Sequence, residues 1–168
     1  MTTDYLRELH YLGVTARLKR LSDALTTSIR ELYLSQELDI EPSWHLVFLY
    51  LKDHPATAVT RLADALHLSQ PATTKMIDRM AKRGYLRISL DAADARRRCV
   101  SLSTLALARL PEFKRVWAAG ENAVQELLSE SDELLQGLED IEGELQRRSF
   151  AQRVTDRLSN RTQERKNS

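Results

Sequence analysis

Between Arg61 and Arg98 the chain carries nine basic residues: Arg61, Lys75, Arg79, Lys82, Arg83, Arg87, Arg96, Arg97 and Arg98. Only four acids accompany them, Asp64, Asp78, Asp91 and Asp94. Guanidinium and ammonium groups gathered in one stretch suit phosphate, which Arg grips with a planar fork and Lys with a point charge. A second stretch has the opposite character. Between Gly120 and Leu145 there are nine acids and no base. The first stretch is suited to face a polyanion and the second to avoid one, although a solvated charged face can produce the same imbalance. The formal net charge is only +1, so the distribution carries the information and the total does not.

Other chemistry finds little support. His10, His45, His54 and His67 are scattered and form no pair at ligand spacing with cysteine or carboxylate, so no metal is expected. There is no P-loop, Gly-rich phosphate motif or nucleophile elbow, so neither enzyme activity nor a cofactor is expected. The single cysteine, Cys99, excludes an intramolecular disulfide and fits a reducing compartment. Flanking arginine would favour its thiolate, so an oxidant-sensing role stands beside plain packing. A charged N-terminus and the lack of an apolar run of about 20 residues argue against a signal peptide and a membrane span. A cytoplasmic protein with no membrane partner is expected.

The 168 residues fit one domain of ordinary size. Few Gly and Pro favour long helices. Residues 4–37 read as one helix with an apolar stripe of Leu18, Leu21, Leu25, Ile29 and Leu32, bent or interrupted at Gly13. Ser43 is the expected N-cap of a second helix that buries Trp44, Val47, Phe48 and Leu51 and ends before Pro55. A third runs over about 58–66. Ser69 caps a fourth, with Pro71 in its first turn, and Gly84 ends it. Residues 85–90 and 98–103 then alternate like strands around a polar connection, which predicts a hairpin. A helix follows from Thr104 to about Leu128, kinked at Pro111. A last helix spans about Ser131 to Leu158, with a polar tail fraying from Ser159.

On the fourth helix the period of 3.6 residues puts Thr73, Met76, Ile77 and Met80 on the core side. Pro71, Thr74, Lys75, Asp78, Arg79 and Lys82 fall on the other, flanked by Gln70. Two short helices with a tight turn, preceded by a packing helix, follow helix-turn-helix grammar. A helix fits the major groove, and Gln, Thr, Lys and Arg are types that read bases or hold phosphate. Asp78 would face a polyanion badly unless paired, and Lys75 or Lys82 is near enough in sequence to pair with it. Three arginines at the hairpin, Arg96, Arg97 and Arg98, suit a narrow minor groove.

The run Leu62-Ala63 … Leu68-Ser69-Gln70-Pro71-Ala72-Thr73-Thr74 … Asp78-Arg79-Met80 … Lys82-Arg83-Gly84-Tyr85-Leu86 resembles the helix-turn-helix of MarR regulators. Asp91-Ala-Ala-Asp94-Ala-Arg96 resembles that family's D-x-x-D-x-R wing. After Leu102-Ser103 the family's glycine is replaced by Ala106, a better helix former. The fold implied is mainly α with a small β-hairpin wing. The winged helix-turn-helix would occupy 43–103, with dimerisation helices at 1–38 and 104–160 and a polar tail at 161–168. The function implied is a homodimeric DNA-binding transcription regulator, most simply a repressor, on a palindromic site of double-stranded DNA. Gln70, Pro71, Thr74, Lys75, Arg79 and Lys82 would contact DNA from the recognition helix. Asp94 would brace Arg96 at the minor groove, with Arg97 beside it.

Many relatives release DNA when a small aromatic or phenolic molecule enters a cleft between the dimer region and the winged unit. Tyr11, Arg17, Trp44, His45, Phe48 and Trp117 are the candidates to line it here. Each has a plainer reading: Trp44 and Phe48 as core, His45 as a satisfied histidine and Arg17 as a snorkelling side chain. A winged-helix protein-interaction module without DNA binding is the competing function. It would need a depleted basic face, which this sequence does not have.

Overall fold

A computed structural model describes residues 4–90, 97–129 and 131–166. The chain divides into two compact units, Met1–Lys114 and Arg115–Ser168. In the first, α1 (Tyr5–Glu8) is capped by the Asp4 carboxylate, which accepts from the Leu6 amide at 3.2 Å. Arg20 holds the same carboxylate through two bonds of 3.1 and 2.8 Å and keeps its pKa below the ordinary aspartate value. A 3-10 turn over His10–Gly13 separates α1 from α2 (Val14–Ser35). The helix expected over 4–37 is thus interrupted at Gly13, where a bend or break was expected. The interruption ends where the chain crosses itself closely: a Cβ on Gly13 would lie 2.3 Å from the Leu6 carbonyl oxygen.

α3 (Trp44–Asp53) starts at Ser43, whose side chain makes no capping bond. The His45 ring instead donates to the Pro42 carbonyl at 2.6 Å. A two-residue strand, β1 (Thr57–Ala58), precedes α4 (Val59–Ala65) and α5 (Gln70–Lys82). The hairpin follows as β2 (Leu86–Leu90) and β3 (Arg98–Leu102). The sheet has three antiparallel strands in the order β1-β3-β2. The expected hairpin thus gains a third strand, with Thr57 opposite Val100 and Ala58 opposite Cys99. Strict alternation fails on β2, where only Leu86 is buried and Ile88 and Leu90 stay exposed. On β3 both Cys99 and Val100 are buried.

The core of this unit joins α3, α4, α5 and the sheet to the start of α6 (Thr104–Leu127). Trp44, Phe48, Leu62, Ile77, Met80, Val100 and Phe113 are fully buried. Phe48 meets Tyr85 edge-on at 5.4 Å and Phe113 at 5.2 Å between ring centroids, distances that favour aromatic pairs. Ser103 starts α6: its hydroxyl accepts from the Ala106 amide at 3.1 Å and donates to the Gly84 carbonyl at 2.6 Å. Ala106 is fully buried there. The helix runs on through Pro111.

Three helices end in the same way. After α2, α4 and α5 the chain turns left-handed at Glu37 (φ 55°), His67 (φ 51°) and Gly84 (φ 80°). In each case the next amide reaches back five residues: Leu38 to Tyr33 at 2.8 Å, Leu68 to Ala63 at 2.9 Å and Tyr85 to Met80 at 3.0 Å. This Schellman geometry suits glycine, and only one of the three positions has it. Glu37→Gly and His67→Gly should each raise unfolding free energy by about 1 kcal/mol, and Gly84→Ala should lower it by about as much. Urea denaturation of the three variants checks this. A destabilised His67→Gly would show that the histidine side chain outweighs the backbone conformation.

The second unit contains the end of α6, α7 (Glu133–Arg147) and α8 (Phe150–Lys166). The single last helix expected over 131–158 is divided at Arg148, which is extended (φ −157°, ψ 121°). Ser149 and Gln152 form a reciprocal capping box. The Gln152 amide donates to the Ser149 hydroxyl at 3.2 Å, and the Ser149 amide donates to the Gln152 side chain at 3.0 Å. α8 continues to Lys166, past Ser159. Among the described residues no helix is long and apolar enough to cross a membrane.

Candidate nucleic-acid interface

α4 and α5 are joined through Leu66–Ser69, and local chemistry sets where α5 begins. Ser69 has extended backbone (ψ 144°), and its hydroxyl accepts from the Ala72 amide at 3.4 Å. Pro71 in the first turn loses no helical hydrogen bond. Thr73, Met76, Ile77 and Met80 are buried. The Thr73 hydroxyl is satisfied inside by the Ser69 carbonyl at 3.1 Å. The opposite face therefore turns to solvent. Gln70, Pro71, Thr74, Lys75, Asp78, Arg79 and Lys82 line one shallow concavity of about 660 Å³. It contains all six α5 residues singled out from the sequence.

The charges on this face are not equally committed. Asp78 pairs with Arg98 on β3 at 2.7 Å, and not with Lys75 or Lys82 as their spacing suggested. The start of β3 lies alongside α5, and the guanidinium reaches farther and bonds more directionally than a neighbouring lysine. Both partners are partly exposed, so the pair contributes about 1 kcal/mol at most. Its electrostatic consequence is larger, because it neutralises the one acid of the face. Among the described residues Lys75, Arg79 and Lys82 have no ion-pair partner.

Other bases of the same stretch are structural. Arg83 reaches Asp39 at 2.9 Å and Glu41 at 3.6 Å, with its guanidinium 5.0 Å from the centre of the Trp44 ring. Arg87 donates to Thr104 at 2.6 Å. Arg109 donates to the Tyr85 hydroxyl at 3.4 Å, to the Glu37 carbonyl at 3.4 Å and to Glu112 at 3.0 Å. Burial pushes the Tyr85 phenol above its ordinary pKa, so it accepts that bond as a neutral hydroxyl. These arginines hold α5 and the sheet against α6 and the connection between α2 and α3. The brace Arg98 was missed in the sequence because Asp78 lies 20 residues away with no pattern connecting them.

The wing residues divide. Arg97 is exposed at the start of β3, whereas Asp94 and Arg96 lie outside the described residues. The candidate ligand residues also divide. Trp44 and Phe48 are wholly buried among Tyr85 and Phe113, so packed aromatic rings occupy the space around them. His45 is half-buried beside them. Tyr11 and Arg17 are exposed, on the 3-10 turn and on α2. Trp117 belongs to the second unit. The Trp44 indole N–H is buried without an acceptor among the described residues. Cys99 is buried opposite Ala58 and Ser89, where access by an oxidant is restricted.

A helix pair with a tight turn, a packing helix before it and a three-stranded wing after it define a winged helix-turn-helix protein. Residues 38–97 match the model of the MarR family. No curated protein matches it. Several solved structures do. The transcriptional repressor CouR, bound to a 23-mer DNA duplex, is 25% identical over 74% of this chain and 89% of its own, with a TM-score of 0.64. The MepR–DNA complex of S. aureus is 17% identical over 79% and 97%, with a TM-score of 0.69. A mutant MarR from E. coli, complexed with operator DNA, is 23% identical over 85% and 99%, with a TM-score of 0.63. The last two support the fold.

Proposed function

We propose that this chain is a homodimeric, sequence-specific DNA-binding transcription regulator, acting most simply as a repressor on a palindromic site. The observation that carries the reading is the α5 face. Lys75, Arg79 and Lys82 stand without ion-pair partners among the described residues, on the exposed side of a helix whose other side is core, and the acid among them is neutralised by Arg98. Gln70, Pro71 and Thr74 stand beside them on that face. α5 enters the major groove, where Gln70, Thr74, Lys75 and Arg79 contact bases or phosphates. Arg96 enters the minor groove, braced by Asp94, with Arg97 on the adjacent backbone. The DNA-bound state of CouR, MepR and the MarR mutant supports this placement.

Uncovered surface supports two-fold symmetry. Only Tyr33 of α2 is buried, and Leu18, Leu21 and Leu25 are exposed. No residue of α7 is buried, and Leu134, Leu138, Ile141 and Leu145 are exposed. Apolar stripes of this length need a partner surface, and a second copy gives two winged units for two half-sites. Residues 1–38 and 104–160 are the dimerisation region. A small aromatic or phenolic effector releases the DNA.

The test is duplex binding against salt, with a site selected from a random pool. Three free cations on each of two α5 helices give about six phosphate contacts. Affinity should then fall about a thousandfold between 50 and 200 mM salt. A slope near zero in the log–log plot would remove the basic face from the function.

A further inference from the structure

The hairpin after α5 is anchored to the core at its near end. There the Ser103 amide donates to the Tyr85 carbonyl at 2.9 Å, and the Tyr85 amide donates to the Met80 carbonyl at 3.0 Å. Leu86 is buried opposite Leu102. Support then falls away along the strands. β1 pairs with β3 at Val100 and Cys99 and goes no further. On β2 the residues from Arg87 to Leu90 are exposed, Leu90 by 63%. The next rung outward, Leu90 opposite Arg98, is therefore two-stranded. It lies about 13 Å along the strand from Leu86. A two-stranded ribbon twists more than a wider sheet and is marginally stable by itself.

From that rung Arg98 reaches back to α5. Its Nη2 donates to Asp78 Oδ1 at 2.7 Å, the one ion pair between α5 and β3 among the described residues. Asp78 stands in the third turn of α5, on the face with Lys75, Arg79 and Lys82. An exposed pair adds little to stability, so its consequence is geometric. It ties the outward part of the hairpin to the helix where neither a third strand nor a buried leucine does so.

We propose that Asp78 and Arg98 are positioning residues: their pair sets the angle between α5 and the hairpin, so that both reach adjacent grooves at one fixed separation. The inference rests on the DNA-binding reading above and specifies what fixes the spacing within a half-site. Charge alone makes the opposite prediction. A carboxylate among phosphate-facing cations opposes binding, and its removal frees the Arg98 charge, so every duplex would be bound more tightly. A positioning pair makes Asp78 necessary on the selected site and dispensable on random duplex, where phosphate contacts carry no sequence information and tolerate a moved hairpin.

Full-length Asp78→Asn and Arg98→Gln chains test this by fluorescence anisotropy at one fixed salt concentration. Three duplexes are compared: the site that the unmodified protein selects from a random pool, that site with one base pair inserted in each half-site between the two protected grooves, and random sequence. The insertion moves the grooves apart by about 3.4 Å, and the unmodified protein should lose affinity on it. Asp78→Asn should bind the selected site about fivefold more weakly per half-site, and random duplex no more weakly. In both variants the penalty for the insertion should shrink by the same factor. The double variant Asp78→Arg, Arg98→Asp should restore the penalty, since it rebuilds the pair with its charges exchanged. Melting temperatures should stay within a degree or two.

Tighter binding of the selected site by Asp78→Asn, with the insertion penalty unchanged, would reduce the carboxylate to a charge and overturn the positioning role. So would a double variant as tolerant of the insertion as the single ones. Should one single variant unfold, the other carries the same test, and unfolding of both would make the pair a support of the fold instead. An unmodified protein that selects no duplex from the pool would remove the DNA-binding reading itself, and the positioning role with it.

Discussion

Lys75→Ala combined with Arg79→Ala should lower affinity for the selected duplex at least a hundredfold while leaving the melting temperature within a degree or two. Both side chains are exposed and have no ion-pair partner among the described residues, and surface substitutions of that kind shift stability by about 0.5 kcal/mol or less. The binding effect is large because each contact occurs in both half-sites. A well-placed base contact is worth roughly 1–3 kcal/mol of discrimination, and a phosphate contact adds a term that weakens with salt. Thr74→Ala separates the two contributions. Thr74 is half-buried on the same face and carries no charge. Its loss should therefore reduce preference for the selected site over random duplex without changing the salt slope. Arg96→Ala should weaken both duplexes alike, since a minor-groove arginine responds to shape and potential. Equal losses on selected and random DNA for Thr74→Ala would take α5 out of the major groove.

Phe48→Ala should cost about 3–5 kcal/mol of unfolding free energy, read from urea denaturation. Phe48 is fully buried, with Tyr85 and Phe113 on its ring at 5.4 and 5.2 Å. Tyr85 in turn meets Trp44 and Phe113. The lost ring leaves a cavity that the surrounding elements cannot close together, because α3, α6 and the sheet are tied through Arg83, Arg87 and Arg109. Phe48→Leu should cost considerably less, since it retains most of the volume. An apolar cavity of this kind binds benzene-sized molecules, so benzene or indole should recover part of the stability lost by Phe48→Ala. A cost below about 1 kcal/mol would mean that Phe48 already borders open space, as a wall of an effector cleft would.

The face that α5 presents was legible because its causes are local. A serine cap, a proline in the first turn, a glycine after the last turn and a 3.6-residue apolar period all lie within the helix or at its ends. The division of Thr73, Met76, Ile77 and Met80 from Gln70, Lys75, Arg79 and Lys82 follows from that period alone. The capping box that starts α8 was equally local. Ser149 and Gln152 stand at the required spacing, yet the apolar spacing from Leu145 to Phe150 hid the boundary, because large apolar residues appear on both sides of it.

Elsewhere the deciding groups are far apart in the chain. β1 is two residues long and has no period to read, and it exists because β3 offers an open edge at Cys99 and Val100. The left-handed turns at Glu37 and His67 lack the glycine that marked Gly84. They are held by hydrogen bonds reaching back five residues, which bring Leu38 and Leu68 against their own helices. Asp78 was expected to pair within α5 and pairs with Arg98 across the fold. Local periodicity and capping thus determined which residues face the solvent on α5. Tertiary packing decided which of its charges remain free, because an ion pair depends on separation in space, and separation along the chain does not determine it.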